Sequence, residues 1–278
     1  MFNFGKKRGD KADNEIEAFV TLKLKSNEIT KENIDKLSFK NEKLKLVIGF
    51  ISPYLNFSEI SYRMKQYLPL DTKVVLSSSA GELCTFNLST PTNHLYEDTQ
   101  GEWDDIVLAG FSSYMIDDVH IESVDLQTNN ANSVDEKVDI IKNRLKNINM
   151  PLNMNSSNTL AYTLIDGLSA SESFFIEAIY ESKKFPCLFI GGSAGGKLDF
   201  QATYLYDSNK VVQNSAVVTF IKFSDKIKFG IFKSQNVSNE VASFSIIEAD
   251  PFNRTVKTVL NEDKIDKKIH TDGEITIN

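Results

Sequence analysis

The chain has 278 residues, of which 41% are apolar and 25% charged, an ordinary globular composition. This length allows one large domain or two modest ones, and it excludes a miniprotein that needs disulfides or metals to fold. The formal net charge is −7. Residues 1–14 contain four basic and two acidic side chains, so the remainder carries 27 basic and 36 acidic ones, a net −9. This acidic body argues against nucleic acid or an anionic membrane as the main partner.

The terminal segment and the cysteines bear on the cellular compartment. Residues 1–14 have no apolar stretch typical of a signal peptide, and we expect them to form a disordered tail. We therefore expect a cytoplasmic protein in which Cys84 and Cys187 are reduced. No apolar run approaches the roughly 18–20 residues of a membrane span, so we expect no membrane insertion.

Apolar runs and alternating polarity predict a series of strands separated by helices. The predicted strands, in chain order, are 15–25, 44–51, 73–77, 105–112, 114–126, 159–168, 186–190, 201–206, 210–223 and 226–235. The predicted helices are 28–37, 56–68, 133–148 and 169–182. The last three helices begin with a capping box, in which a polar residue precedes Glu by three positions. These boxes are Asn56–Glu59, Ser133–Glu136 and Ser169–Glu172.

A strand–helix–strand pattern occurs twice, over about 44–112 and 160–223. The matched positions are Ser52 with Ser169, Ser79-Ala80-Gly81 with Ser193-Ala194-Gly195, and 106–111 with 216–221. A unit of this length implies a parallel strand pair with a right-handed crossover, and the long later strands imply antiparallel partners. We therefore predict an α/β fold with mixed β-sheets flanked by helices and two pseudo-duplicated strand–helix–strand halves.

Residues 191–197 (GGSAGGK) carry the strongest local signal and match two enzyme motifs imperfectly. Ser193 lies in a G-x-S-x-G pattern, the nucleophile elbow of serine hydrolases, with Asp225 or Asp250 and His270 following in hydrolase order. An elbow leads into a helix, however, and 197–206 predicts a strand. The same residues match a P-loop, but Leu198 stands where Ser or Thr would hold magnesium. A hydrolase using Ser193 remains an alternative.

The third interpretation of this segment is a tight turn, either purely structural or lining a ligand. Glycines allow positive φ, so that successive N–H groups converge on an anion. Ligands of α/β sheets favour the carboxyl ends of parallel strands, and both Ser-Ala-Gly loops follow such strands. The candidate ligand-binding residues are Ser78, Ser79, Ala80, Gly81, Glu82, Gly191, Gly192, Ser193, Ala194 and Gly195. The Glu82 carboxylate would receive an ammonium group or cap a turn.

Four segments together carry a resemblance to a known family. They are 46–53 (LVIGFISP), 74–83 (VVLSSSAGEL), 186–195 (PCLFIGGSAG) and 203–206 with 216–221. In this order and spacing they resemble the N-terminal module of FIST proteins, over about residues 40–235. The first loop departs from the family pattern GCSTAGEI at Leu76 and Ser77, but it retains Ala80-Gly81-Glu82.

The resemblance implies a sensory domain of bacterial signal transduction that binds a small ligand, with amino acids as one candidate. It also implies a signalling partner: a histidine kinase, a chemoreceptor or a cyclic-nucleotide enzyme. The implied division is a tail at 1–14, a FIST sensory domain at 15–240, and an extension or the start of a second FIST module at 241–278.

Haem is an alternative ligand, because some FIST proteins bind it and sense nitric oxide. Its axial ligand would be His94, Cys84 or His120, yet no CxxCH motif or close histidine pair supports haem. No spacing suggests zinc or calcium, and we expect no catalytic residue, metal or cofactor. A scaffold that binds only protein is a further alternative.

Overall fold

The structure is a computed structural model of the chain, and it describes residues 18–81, 101–231, 244–253, 255–261 and 266–268. The predicted tail lies outside the described residues, as do Glu82, Cys84, His94 and His270. None of the described helices has the length and apolar character needed to cross a bilayer.

The described residues form thirteen strands and four α-helices. The strands are β1 (Phe19–Leu24), β2 (Leu44–Ile51), β3 (Lys73–Ser78), β4 (Ile106–Ser112), β5 (Ile116–Asp125), β6 (Thr159–Ile165), β7 (Leu188–Ser193), β8 (Leu205–Tyr206), β9 (Val211–Val212), β10 (Ser215–Phe223), β11 (Phe244–Asp250), β12 (Thr255–Asn261) and β13 (Asp266–Lys268). The helices are α1 (Lys31–Ile34), α2 (Phe57–Tyr67), α3 (Val134–Lys146) and α4 (Glu172–Ser182).

The strands form two mixed sheets and one small antiparallel sheet. The first sheet has the order β1-β4-β2-β3-β8-β9, the second β5-β10-β6-β7, and the C-terminal sheet β11-β12-β13. Only β2–β3 and β6–β7 pair in parallel among the described strands, and each of these pairs brackets one helix. The predicted mixed α/β fold and its two parallel strand–helix–strand units are therefore confirmed.

Register defines how the two halves correspond. Ile51 pairs with Ile106 and Ser78, while Ile165 pairs with Ala216 and Ser193. The predicted match of 106–111 with 216–221 is confirmed. The edge strands β1 and β5 also occupy equivalent positions beside β4 and β10.

Two of the predicted equivalences are wrong by register. Ser78-Ser79-Ala80 corresponds to Ser193-Ala194-Gly195, one residue earlier than the shared letters suggested. Ser52 corresponds to Asp166, not Ser169, because the N–H groups of Ser52 and Asp166 donate to equivalent carbonyls of Asp105 and Ser215. Since successive side chains on a strand point to opposite faces, one residue of shift changes which face each serine serves.

Four local predictions differ from the structure. The strand predicted over 210–223 is interrupted before Ser215, where Asn214 has a positive φ of 48°, and it forms the two strands β9 and β10. Of 201–206, only β8 is a strand, because turn hydrogen bonds within 197–201 replace sheet pairing there. The described residues 226–231 form no strand, since the Ile227 N–H turns back to Ser224. Helix α4 begins after Ser171, which hydrogen-bonds to the Ser169 carbonyl instead of capping the helix, so the predicted cap at Ser169 is wrong. The caps at Asn56 and Ser133 are confirmed, since each side chain accepts from the N–H of the Glu three residues later.

Three apolar clusters arrange the molecule as helix, sheet, sheet and helix layers. One cluster lies between the first sheet and α2, and a second lies between the second sheet and helices α3 and α4. The third joins the two sheets face to face, with Leu46 and Val75 from the first sheet and Leu164 and Val217 from the second. Continuous apolar strands are required here because the central strands are covered on both faces.

Gly49 in the centre of β2 provides a test of this packing. A Cβ there would lie 2.5 Å from a Leu108 methyl carbon and 2.8 Å from one of Leu76. We expect Gly49→Ala to lower the free energy of unfolding by about 1–3 kcal/mol, because the core is already filled. The exposed Gly192, with nothing within 4 Å, provides the control: Gly192→Ala should change stability by about 0.5 kcal/mol or less. Urea unfolding measures both, and equal stability of the two variants would contradict the packing argument.

Candidate functional site

The two predicted loops meet where β3 and β7 end. A Cβ at Gly195 would lie 2.5 Å from the Ala80 nitrogen and 2.9 Å from the Ala80 Cβ, so the loop backbones are in direct contact. The Ser78 hydroxyl donates to the Gly195 carbonyl at 2.6 Å and accepts from the Tyr204 N–H at 2.9 Å. The structure thus brings together candidate residues from both halves, while their role in ligand binding stays a prediction.

The first loop is closed by its own hydrogen bonds. Ser78 is 1% exposed and Ser79 is 7% exposed. The Ser79 hydroxyl donates to the Gly81 carbonyl at 2.6 Å and accepts from the Gly81 N–H at 3.0 Å. These two buried serines therefore hold the loop backbone in place, because their hydroxyls form hydrogen bonds with backbone groups of the protein.

The second candidate segment is mostly strand. Gly191, Gly192 and Ser193 end β7 and are exposed, whereas Ala194 is buried against the inter-sheet cluster. A Cβ at Gly191 would lie 1.8 Å from the Thr163 carbonyl oxygen, so a glycine is required beside β6. The expectation that a loop begins at Gly191 is wrong, because sheet pairing continues through Ser193.

The structure bears on the two enzyme motifs directly. The Ser193 hydroxyl donates to a Glu172 carboxylate oxygen at 3.0 Å in an exposed contact. No helix follows β7 before β8, so the strand-to-helix turn required by both the elbow and the P-loop is missing. Within the described ranges no histidine contact to Ser193 is present, and His270 lies outside them.

A cavity of about 390 Å³, here called the inter-half cavity, opens beside these loops. It lies between the β2–α2 connection of the first half and residues 197–204 of the second. The lining residues are Pro53, Tyr54, Leu55, Asn56, Phe57, Ser58, Lys197, Asp199, Gln201, Ala202 and Tyr204. One wall comes from each half, so a bound molecule would contact both.

The inter-half cavity combines aromatic rings with opposite charges. The Lys197 ammonium lies 4.9 Å from the centre of the Tyr54 ring, and the Phe57 and Tyr204 rings stack with centroids 5.6 Å apart. Asn56 caps α2 by accepting from the Glu59 N–H, which places the positive end of that helix at the cavity. Together with the Asp199 carboxylate, these groups suit a small molecule that carries both charges.

Sequence reasoning missed this cavity, because none of the nine described candidate residues lines it. Lys197 belongs to the GGSAGGK segment and Tyr204 to the segment 203–206, but neither pattern indicates a ligand contact at these two residues. One signal was available: the Asn56 capping box follows a buried parallel strand, and helix N-termini at such strand ends are common ligand sites. The candidate Ser78 does not line the cavity, but its hydroxyl accepts from the N–H of Tyr204, which does.

Asp166 is a buried carboxylate that connects this wall to the second half. It is 3% exposed and accepts hydrogen bonds from the Thr203 hydroxyl and from the Asn214 and Leu168 N–H groups. Three donors compensate the burial of its charge. It thereby ties the segment that bears Tyr204 to the loop that leads into α4.

His120 and Cys187 are the described residues closest in chemistry to a cofactor ligand. His120 is partly buried with its Nε2 2.7 Å from a Glu122 oxygen. Burial raises the pKa of the Cys187 thiol to about 11, so it is protonated at neutral pH. No group of three metal-ligating side chains occurs in the part of the chain that the structure describes.

The family comparison agrees with this architecture. The model described as the FIST N domain matches residues 45–258, most of the chain, and the chain belongs to this family. This match confirms the resemblance inferred from the sequence. FIST domains are sensory domains of signalling proteins. A search of curated proteins finds no match to the sequence. The proposed domain boundary at residue 240 stays a prediction.

The equivalent serines Ser78 and Ser193 provide a matched test. Ser78→Ala leaves the partly buried Gly195 carbonyl and Tyr204 N–H without this partner, and we expect a loss of about 1–3 kcal/mol in unfolding free energy. Ser193→Ala removes an exposed contact to Glu172 and should cost about 0.5 kcal/mol or less. Thermal and urea unfolding measure both, and a loss of similar size in the two variants would contradict the assigned role of Ser78.

Proposed function

We propose that this chain is a cytoplasmic sensory domain that binds a small ligand in the inter-half cavity and relays its occupancy to a signalling partner. That partner is a histidine kinase, a chemoreceptor or a cyclic-nucleotide enzyme. The observation that carries the proposal is that the cavity has one wall from each half of a duplicated fold. A ligand held by both walls favours one arrangement of the halves over another, which is the requirement for sensing by binding.

An amino acid is the ligand class that we favour. Lys197 and the N-terminus of α2 would receive the carboxylate, and Asp199 would receive the ammonium group. The rings of Tyr54 and Tyr204 would contact the side chain. The hydrogen bonds of the Ser78 hydroxyl to Gly195 and Tyr204 would hold the cavity wall in place, and Ser79, Ala80, Gly81 and the end of β7 would support these loops. Glu82 lies outside the described residues.

The relay would start at the wall that carries Tyr204. This residue follows Thr203, whose hydroxyl donates to the buried Asp166. Asp166 in turn accepts from Asn214, just before β10, and from Leu168, just before α4. Movement of residues 197–204 toward a ligand would therefore shift the start of α4, because the loss of a donor to the buried Asp166 carboxylate would cost a large amount of free energy.

Binding can be measured by calorimetry against a panel of the twenty amino acids. We expect at least one to bind, and we expect Lys197→Met to weaken that binding by about tenfold or more, since the carboxylate loses its cation. Lys210→Met removes an exposed lysine outside the cavity and leaves the net charge of the two variants equal. It should bind as the wild type does.

Two further measurements, haem absorption and fluorophosphonate labelling, separate the alternatives. If no amino acid binds and added haem gives a Soret band, the chain is a haem-based sensor and the amino-acid proposal is wrong. Labelling of Ser193 by a fluorophosphonate probe would instead support the hydrolase. Equal affinity of the Lys197→Met and Lys210→Met variants would show that the ligand does not bind in the inter-half cavity.

A further inference from the structure

A second cavity, of about 330 Å³, lies between the N-terminal turns of α3 and α4. Lys137 of α3, Ser171 before α4 and Asn214 before β10 contribute to its lining. Two further lining residues, Phe252 and Asn253, come from the C-terminal sheet. They belong to the connection between β11 and β12, residues 250–253, here called the hairpin tip.

The hairpin tip is shaped by its own hydrogen bonds. The Asp250 carboxylate accepts from the Asn253 N–H at 3.1 Å and from the Asn253 side-chain amide at 2.7 Å. These bonds lower the pKa of the Asp250 carboxyl, which is therefore ionised at neutral pH. Phe252 therefore lies in a turn that has hydrogen bonds of its own, separate from its contact with Lys137.

Lys137 contacts the hairpin tip through a hydrogen bond and a cation–π interaction. Its ammonium donates to the Phe252 carbonyl at 2.7 Å and lies 3.6 Å from the centre of the Phe252 ring. The buried Phe174 ring, in the first turn of α4, is 5.0 Å from the same ammonium. The cation is thus held between two aromatic faces, an arrangement that favours a partly desolvated lysine.

The rest of the C-terminal sheet leaves apolar side chains uncovered. Ile246 is 61% exposed and Ile247 62% exposed, on β11, and Val256 on β12 is also exposed. These three side chains are therefore not covered by the two large sheets, whereas Val259 of β12 is 9% exposed. At the hairpin tip, one lysine of α3 supplies both a hydrogen bond and a ring contact to Phe252.

We propose that the second cavity is the docking site for residues 250–253 of this chain, and that Lys137 holds the C-terminal sheet there by a contact that can open without unfolding the two-sheet module. A single charged hydrogen bond with cation–π contacts is small compared with the cohesion of the three apolar clusters. The docked and released arrangements are two states that signalling can shift between. The proposal does not depend on which ligand the inter-half cavity takes.

The test measures the distance between the module and the C-terminal sheet in the full chain. Spin labels are placed at the exposed Glu177 on α4 and Lys257 on β12, in a background carrying Cys84→Ser and Cys187→Ala. Pulsed dipolar spectroscopy should give one narrow distance distribution for this parent protein. Lys137→Met should add a broad second distribution, with the released population raised about tenfold.

Two further variants make the result decisive. Phe252→Leu keeps an apolar side chain but removes the ring, and it should release the sheet as Lys137→Met does. Lys142→Met, on the same helix, removes a lysine that pairs with Asp139 and Glu181 and should leave the distribution narrow. Circular dichroism melting should show an unchanged module in all three. A broad distribution already in the parent, or a narrow one in Lys137→Met, overturns the proposal.

Discussion

The hydroxyl of Ser78 makes the contact on which the meeting of the two loops depends. It lies at the end of a parallel strand, is fully buried, and bonds at once to the Gly195 carbonyl and the Tyr204 N–H of the other half. A backbone polar group that is shielded from water needs a hydrogen-bond partner, and the Ser78 hydroxyl serves two partly buried groups at once. The close approach of Gly195 to Ala80 follows from this arrangement, since no side chain fits between the loops.

The duplicated halves use equivalent positions for different purposes. Ser78 is buried and joins the halves, while its counterpart Ser193 is exposed and contacts Glu172. Ser52 ends β2 by donating to the Trp103 carbonyl, while its counterpart Asp166 is a buried carboxylate with three donors. The two cavities also differ. The inter-half cavity lies between the halves, whereas the second cavity is lined in part by the chain's own hairpin tip.

The sequence predicted the large elements because their signals are local. The run Leu44–Ile51 is a strand with the predicted bounds, and the boxes at Asn56 and Ser133 cap α2 and α3 as expected. The box at Ser169 failed because its serine is held by the loop around Asp166, a contact from outside the helix. The two predicted loops do meet, but their role in ligand binding stays a prediction, and the lining of the inter-half cavity comes from residues outside the predicted set.

Periodicity, capping patterns and glycine-rich strand ends were enough to determine a mixed α/β protein with two related halves and to suggest its family. These properties depend on interactions within a few residues of each other. Only the tertiary structure decided which letters of the repeat are equivalent, which serines are buried, and that Lys137 meets Phe252. Such contacts join residues far apart along the chain, 117 positions for Ser78 with Gly195 and 115 for Lys137 with Phe252. They depend on strand register and sheet packing, which a local pattern does not encode.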